Sequence, residues 1–274
     1  MTPGHPTVAL LGLPYDASSS FQRGPAVGPP LVRRELFTAA GNLFTESLLD
    51  LGADGVLLDA GDLPLARHRQ STPELREEIE GAVASLLADG LRPLSLGGDH
   101  SVTYPAVRAV AARHGRLAVL QVDAHPDLYD EFEGDRYSHA CPFARIMDER
   151  LAERLVQVGV RTMTRHQREQ ADRFGVEVVT MRDWRPDLAL AFDVPVYVSI
   201  DVDALDPGFA PGVSHREPGG LSPRDVIRLV QTLDCPAVVG ADVVEFNPRN
   251  DVGAVTAGVC AKLVKELVAR MVAG

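Results

Sequence analysis

Cysteine is scarce in this 274-residue chain: Cys141, Cys235 and Cys260 are the whole supply. Three is an odd number and no C-x-x-C spacing occurs, so they read as free thiols in a reducing cytoplasm. Long apolar runs are missing too, and no stretch approaches the ~20 apolar residues of a membrane span. The opening "MTPGHPTVAL" has no basic start ahead of an apolar run, so no signal peptide is expected. Positive charge is short: 27 Lys and Arg face 38 Asp and Glu, a net charge of −11. That balance argues against nucleic acid as a partner, because phosphate backbones call for basic patches. It suits solubility and can steer a cationic ligand inward. Repeats, low-complexity tracts and linkers are absent as well, so a single domain over residues 1–274 is expected. With 45% hydrophobic residues there is ample material for a core.

What the chain does have is a regular alternation. Eight short apolar runs read as strands: Thr7 to Asp16, Gly55 to Leu63, Arg92 to His100, Leu117 to His125, Leu155 to Arg161, Val176 to Met181, Val194 to Asp206 and Ala237 to Asn247. Helical patterns lie between them. "TPELREEIEGAVASLLADG" has Pro early and Gly at its end, and "SPRDVIRLVQTL" offers Ser222 as N-cap, Pro223 at N1 and Asp225 at N3. "GAVTAGVCAKLVKELVARMVAG" reads as a long, apolar-faced last helix. Continuous apolar strands separated by helices imply a parallel sheet covered on both faces.

Polar residues gather at one kind of place in this pattern. "GGDHS", "DAHPD", "SIDVDALDP" and "DVVEFNP" all fall at C-terminal ends of expected strands, the edge where open α/β sheets bind ligands. Asp123, His125 and Asp127 alternate at the end of a strand, and alternate strand residues share a face. A lone Asp-x-His is ordinarily a cap or surface loop, Asp201 and Asp203 alone could be turn residues, and Ser101 reads as an N-cap. Gly97 and Gly98 fit no phosphate-binding pattern and read as a tight backbone approach. Taken together, His100, Asp123, His125, Asp127, Asp201 and Asp203 are two imidazoles and four carboxylates without a thiolate. That set suits Mn²⁺, and also Fe²⁺, Co²⁺ or Zn²⁺. Four neighbouring carboxylates repel and raise one another's pKa values, and two divalent cations cancel that charge. Two such ions ~3.5–4 Å apart are a standard device for activating a water.

"GGDHS", "DAHPD" and "SIDVDALDP" resemble the signature motifs of the ureohydrolase (arginase/agmatinase/formiminoglutamase) family. "LGLPYDASSSFQRGPAVGPPLVRREL" is similar to its N-terminal strand, loop and helix, and "DVVEFNP" to its last strand. The resemblance implies a three-layer α/β/α fold with a mostly parallel eight-stranded sheet. It also implies two manganese ions per chain and hydrolysis of a guanidino group to an amine and urea. Carried onto this chain, one ion would be held by His100, Asp123, Asp127 and Asp201. The other would be held by Asp123, His125, Asp201 and Asp203, with Asp123 and Asp201 bridging. His139 would shuttle protons, Glu245 would pair with the guanidinium, and Asp127 belongs to the catalytic set. A homo-oligomer, trimer or hexamer, is implied by the same resemblance.

Substrate is read from departures. Arginases carry an Asn at the position of Tyr129 and acidic residues after the fifth strand, where this chain has the basic "GVRTMTRHQREQ". His215 and Arg216 stand where agmatinases usually have Thr-Pro. The expectation is therefore a small cationic guanidino substrate, most like agmatine, with Tyr129 and His215 at its far end and an acidic rim receiving the ammonium. Arg161, Arg165 or Arg216 would instead receive a carboxylate if the substrate were a guanidino acid or formiminoglutamate. The alternative outside catalysis is a ureohydrolase-fold protein that binds metal and ligand without turnover.

Overall fold

The structure is a computed structural model and describes residues 8–273. The expected strand residue Thr7 and the expectation about the N-terminal segment fall largely outside this range. Eight strands form one sheet: β1 Val8–Leu13, β2 Leu57–Asp62, β3 Arg92–Gly97, β4 Ala118–Val122, β5 Arg154–Val160, β6 Glu177–Thr180, β7 Val196–Asp201 and β8 Val238–Val244. Seven helices accompany it: α1 Gly28–Leu36, α2 Pro73–Ala88, α3 Thr103–His114, α4 Pro142–Asp148, α5 Arg165–Phe174, α6 Pro223–Gln231 and α7 Val255–Ala273. The sheet order is β2-β1-β3-β8-β7-β4-β5-β6. Every neighbouring pair is parallel, so "mostly parallel" becomes wholly parallel.

Alternation along the strands divides the core into two slabs. Ala118, Leu120 and Val122 of β4 pack with α1, α6 and α7 side chains such as Val32, Ile227 and Leu263. Val119 faces the other way, into a cluster with Leu75, Val107, Phe143 and Ala171 from α2, α3, α4 and α5. This is the α/β/α sandwich. The two edge strands differ from the buried runs expected: Leu58, Asp59 and Ala60 of β2 are exposed, and β6 has no fully buried residue. An edge strand lacks a partner on one side, and polar residues there discourage unwanted pairing.

Local signals act as the sequence suggests. Ser222 and Asp225 form a capping box around Pro223 at the start of α6, and Thr72 caps α2. Ser101 does not cap α3. Asp99 does the local capping: its carboxylate accepts the Ser101 N–H, and α3 starts at Thr103 without a side-chain cap. Gly98 is required by space, since a Cβ there would lie 1.6 Å from the Tyr15 carbonyl oxygen. The four strands that end in polar motifs, β3, β8, β7 and β4, lie side by side at the centre. Their motifs therefore converge.

Candidate metal centre and substrate pocket

His100, Asp123, Asp127, Asp201 and Asp203 are buried and His125 is nearly so. His100 Nδ1 lies 3.2 Å from Asp123 Oδ2, 3.0 Å from Asp127 Oδ2 and 3.3 Å from Asp201 Oδ2. His125 Nδ1 lies 3.1 Å from Asp203 Oδ2 and 3.6 Å from Asp123 Oδ1. Two groups emerge that could hold metal ions, His100–Asp123–Asp127 and Asp123–His125–Asp203. Asp123 belongs to both, one oxygen turned to each histidine. Asp201 stands on the His100 side, and its other oxygen accepts the Asp203 N–H at 2.8 Å.

The alternation rule explains only part of this. β4 stops at Val122, and Asp127 enters the cluster through a left-handed backbone, φ 49°. Such a conformation costs about 1–3 kcal/mol in a non-glycine residue and gathers at functional sites. Beneath the cluster, Gln157 donates to Gln121 Oε1 and Gln121 donates to Asp123 Oδ2 at 2.6 Å, which fixes the shared carboxylate. Arg161 steadies Asp203: its guanidinium donates to the carbonyls of Asp203, Ala204 and Glu217. That side chain is fully engaged and is not a carboxylate receptor. Arg165 and Arg216 are exposed, and neither is among the residues that line the cavity described below.

A metal-binding role is tested by the charges themselves. His100 Nδ1 is buried and without a hydrogen-bond partner while three carboxylate oxygens crowd it. Burial raises the pKa of Asp127 and lifts that of Asp201 well above the carboxylate range, and neighbouring acids add to both. Burial also works against charge on His100 and His125. The adjacent carboxylates overcome it and raise both imidazoles well above their ordinary value. A cation would take the place of those awkward protons, and the hard oxygen and imidazole donors suit a divalent ion of the manganese type.

Above the cluster is a cavity of about 190 Å³, a volume for a small molecule. His125, Asp127, Asp201 and Asp203 reach it, with His139, His215 and Glu245 around them. Glu245 has φ 64°, a second left-handed residue. Its Oε1 accepts the His100 N–H at 3.0 Å and His139 Nδ1–H at 2.8 Å. Its Oε2 is buried and has no partner. Burial opposes the charge on Glu245, but His139 outweighs it and lowers the pKa. For His139, burial favours the neutral ring, yet the Glu245 charge and hydrogen bond push its pKa up to about 9. His139 Nε2 meets the Ser20 hydroxyl at 2.8 Å, a partner that can give or take a proton. His215 lies 5.2 Å from His139, 6.0 Å from His125 and 5.9 Å from Phe21, ring to ring. Burial and the His139 charge lower its pKa.

The outer end is lined by Tyr129, Phe132, Thr162, Thr164 and Gln167. None of these five is acidic, and they lend no support to the expected acidic rim. Tyr129 stacks on His166 at 5.6 Å between ring centres. Thr164 and Gln167 form the capping box of α5, which brings that helix's N-terminus to the rim.

Sequence reasoning missed Ser20 and Asp99. Asp99 accepts the Ser18 N–H at 2.9 Å and so carries the loop that brings Ser20 to His139. Burial first, and the Glu245 charge next, raise the Asp99 pKa to about 7. The aspartate of "GGDHS" sits one residue before a candidate ligand, but nothing local in "ASSS" marks Ser20.

Comparison with known proteins agrees with this geometry. The model of the arginase family matches residues 6–269. "Arginase 1, mitochondrial" of Oryza sativa subsp. indica is 48% identical, the match covering 97% of this chain and 82% of the relative. "Guanidino acid hydrolase, mitochondrial" of Homo sapiens is 33% identical over 95% of this chain and 77% of its own. The solved structure of arginase from Medicago truncatula superposes with a TM-score of 0.93 at 44% identity, covering 99% of this chain and 89% of that one. The expected likeness to agmatinases in particular gains nothing from these relatives.

Proposed function

This chain belongs to the arginase family, and from that premise we propose that it is a binuclear-manganese hydrolase that cleaves the guanidino group of L-arginine to an amine and urea. The observation that carries the guanidino part is the unpartnered, buried Oε2 of Glu245 beside the cavity, next to the two metal-competent groups. A guanidinium offers planar N–H donors to a carboxylate, the pairing with the best geometric match.

His100, Asp123, Asp127 and Asp201 would hold one manganese ion, and Asp123, His125, Asp201 and Asp203 the other. When bound, the ions supply a nucleophilic water near neutral pH, which a delocalised and therefore weakly electrophilic guanidinium carbon needs. Glu245 orients the guanidinium through Oε2 while Oε1 keeps His139 in place. His139, its Nδ1–H held by Glu245 and its Nε2 facing Ser20, can pass a proton to the departing amine and be recharged through Ser20 Oγ. His215, neutral, covers the substrate against Phe21.

Arginine is preferred over agmatine on two grounds. The outer end has no carboxylate to receive agmatine's ammonium, whereas Thr162 and the N-terminal end of α5 suit an α-carboxylate. Relatives named arginase are also 46–48% identical across nearly the whole chain. A second reading, a guanidino acid such as 4-guanidinobutyrate, follows from the same carboxylate end and from the human relative's name. The test is urea release from L-arginine, agmatine, 4-guanidinobutyrate and formiminoglutamate, compared as kcat/KM on manganese-loaded protein. Arginine is expected to lead. A lead for agmatine overturns the substrate assignment, and no urea from any of them, with two ions bound, favours the non-catalytic alternative.

The relatives' names place several of them in mitochondria or chloroplasts, so they lend no support to a cytoplasmic site. Among the described residues no helix is long and apolar enough to cross a membrane.

A further inference from the structure

The His100 ring has a second nitrogen, and its surroundings are as ordered as the metal-facing side. His100 Nε2 lies 2.9 Å from Ser199 Oγ. Ser199 Oγ lies 2.6 Å from Asp242 Oδ1. Ser199 and Asp242 are directly paired residues of β7 and β8. Asp242 has no exposed surface and sits in the otherwise apolar run "VVGADVV". Among the described residues its bonded partners are hydroxyls: besides Ser199, Thr103 Oγ1 and Tyr197 OH each lie 2.8 Å from Oδ2. An acid enclosed this way is expensive to bury, even with three donors around it. Nothing in the reaction proposed above touches it.

The directions of these bonds give it a purpose. An ionised carboxylate only accepts hydrogen bonds. Ser199 must then spend its one proton on Asp242, which leaves its oxygen lone pairs for His100. His100 Nε2 therefore carries the hydrogen, and Nδ1 is left with its lone pair toward Asp123, Asp127 and Asp201. That tautomer is the one a metal ligand requires.

We infer that Asp242 is a positioning residue which, through Ser199, fixes the tautomer and orientation of His100 and thereby sets the affinity of one of the two metal ions. The inference rests on the metal reading given above and deepens it. It predicts asymmetry: the His100-side ion depends on Asp242 and Ser199, and the ion at His125 does not.

The experiment titrates metal-free protein with Mn²⁺ by calorimetry, with electron paramagnetic resonance to follow coupling between the ions. Wild type, Ser199→Ala and Asp242→Asn are compared, and circular dichroism of each metal-free protein checks folding. Two ions in the wild type test the metal reading by themselves. In both variants one ion is expected to bind roughly 10–100-fold more weakly, the usual penalty for losing a partner of a ligating histidine. The other ion keeps its affinity, and the coupled signal gives way to an uncoupled one. Should Asp242→Asn not fold, Ser199→Ala decides, because it deletes only the linking hydroxyl and leaves Asp242 with Thr103 and Tyr197. Two ions at wild-type affinity in Ser199→Ala overturn the inference. So does an equal weakening of both ions, which would indicate general loosening.

Discussion

Replacing Glu245 by Gln tests the assignment on which the proposed chemistry depends. The swap keeps the shape of the side chain and removes its charge. Glu245 Oε1 is committed to the His100 N–H and to His139 Nδ1. A glutamine will keep its oxygen there, because both neighbours are donors. Its amide NH₂ then occupies the place of Oε2, the atom without a partner. A guanidinium arriving at that place meets donors instead of an acceptor. The lost bond to a charged group is worth ~1.5–3 kcal/mol, and a buried donor left unpaired adds ~1–3 kcal/mol. At ~1.4 kcal/mol per tenfold, kcat/KM should fall by roughly 10²–10⁴. Urea release is the assay, run on protein whose manganese content has been measured, since the variant must still hold two ions for the comparison to mean anything. Glu245→Asp keeps the charge on a shorter arm and should fall between the two. A Glu245→Gln protein with full metal and nearly wild-type kcat/KM would refute the guanidinium-binding role.

His139→Ala should retain both ions yet slow turnover by ~10²–10⁴, the usual contribution of an acid/base group; unchanged turnover with chemistry rate-limiting would remove it from the mechanism. Asp123→Ala, which deletes the carboxylate shared by both metal-competent groups, should abolish activity and leave fewer than two ions by metal analysis. Thr162→Val should lower kcat/KM for L-arginine by roughly 10–100-fold, the loss of about one hydrogen bond to a charged group, and leave agmatine nearly unaffected; equal effects would show that Thr162 does not meet the carboxylate. Glu266 of α7 is buried and accepts from Lys262 Nζ, Gln231 Nε2 and the Glu46 N–H. Burial opposes its charge, but these donors win and lower its pKa. A carboxyl whose folded pKa lies below its unfolded ~4.3 contributes stability above that value and loses it as pH falls through the folded one. Glu266→Gln should therefore show a flatter decline in urea-unfolding midpoint on acidification, and parallel declines would contradict this.

The eight strands were legible because most of them are buried, continuous apolar runs, and four of those runs ended in polar motifs marking the ligand-binding edge. Sequence could not show that β3, β8, β7 and β4 are neighbours, because order in a sheet follows from long-range pairing. The motifs implied convergence without giving its geometry. Asp127 was found for an incomplete reason, since a left-handed turn brings it in where strand alternation stops. Arg161 was misread because its role depends on carbonyls of residues 203, 204 and 217 that only the fold brings to it. Ser20 was invisible for the same reason, being 119 residues from His139. The acidic rim was expected only as the counterpart of an agmatine-like substrate, and no motif in the sequence marked residues to form it.

The site is built against its own electrostatics. Four carboxylates are held close, and Asp127 and Glu245 occupy backbone conformations that non-glycine residues avoid. Left to themselves, the acids would move apart or take up protons. They cannot move far, because Gln121 grips Asp123, Arg161 grips the Asp203 turn and the strand ends beneath are fully paired. The repulsion is therefore met by protons until divalent cations replace them. Relief of that kind favours the folded state over the unfolded chain, which cannot assemble the six donors at once. The same rigidity holds Glu245 Oε2 in place with no partner of its own. An acceptor already held in place need not be reorganised when a guanidinium binds, and such preorganisation is the largest advantage an enzyme site has over water.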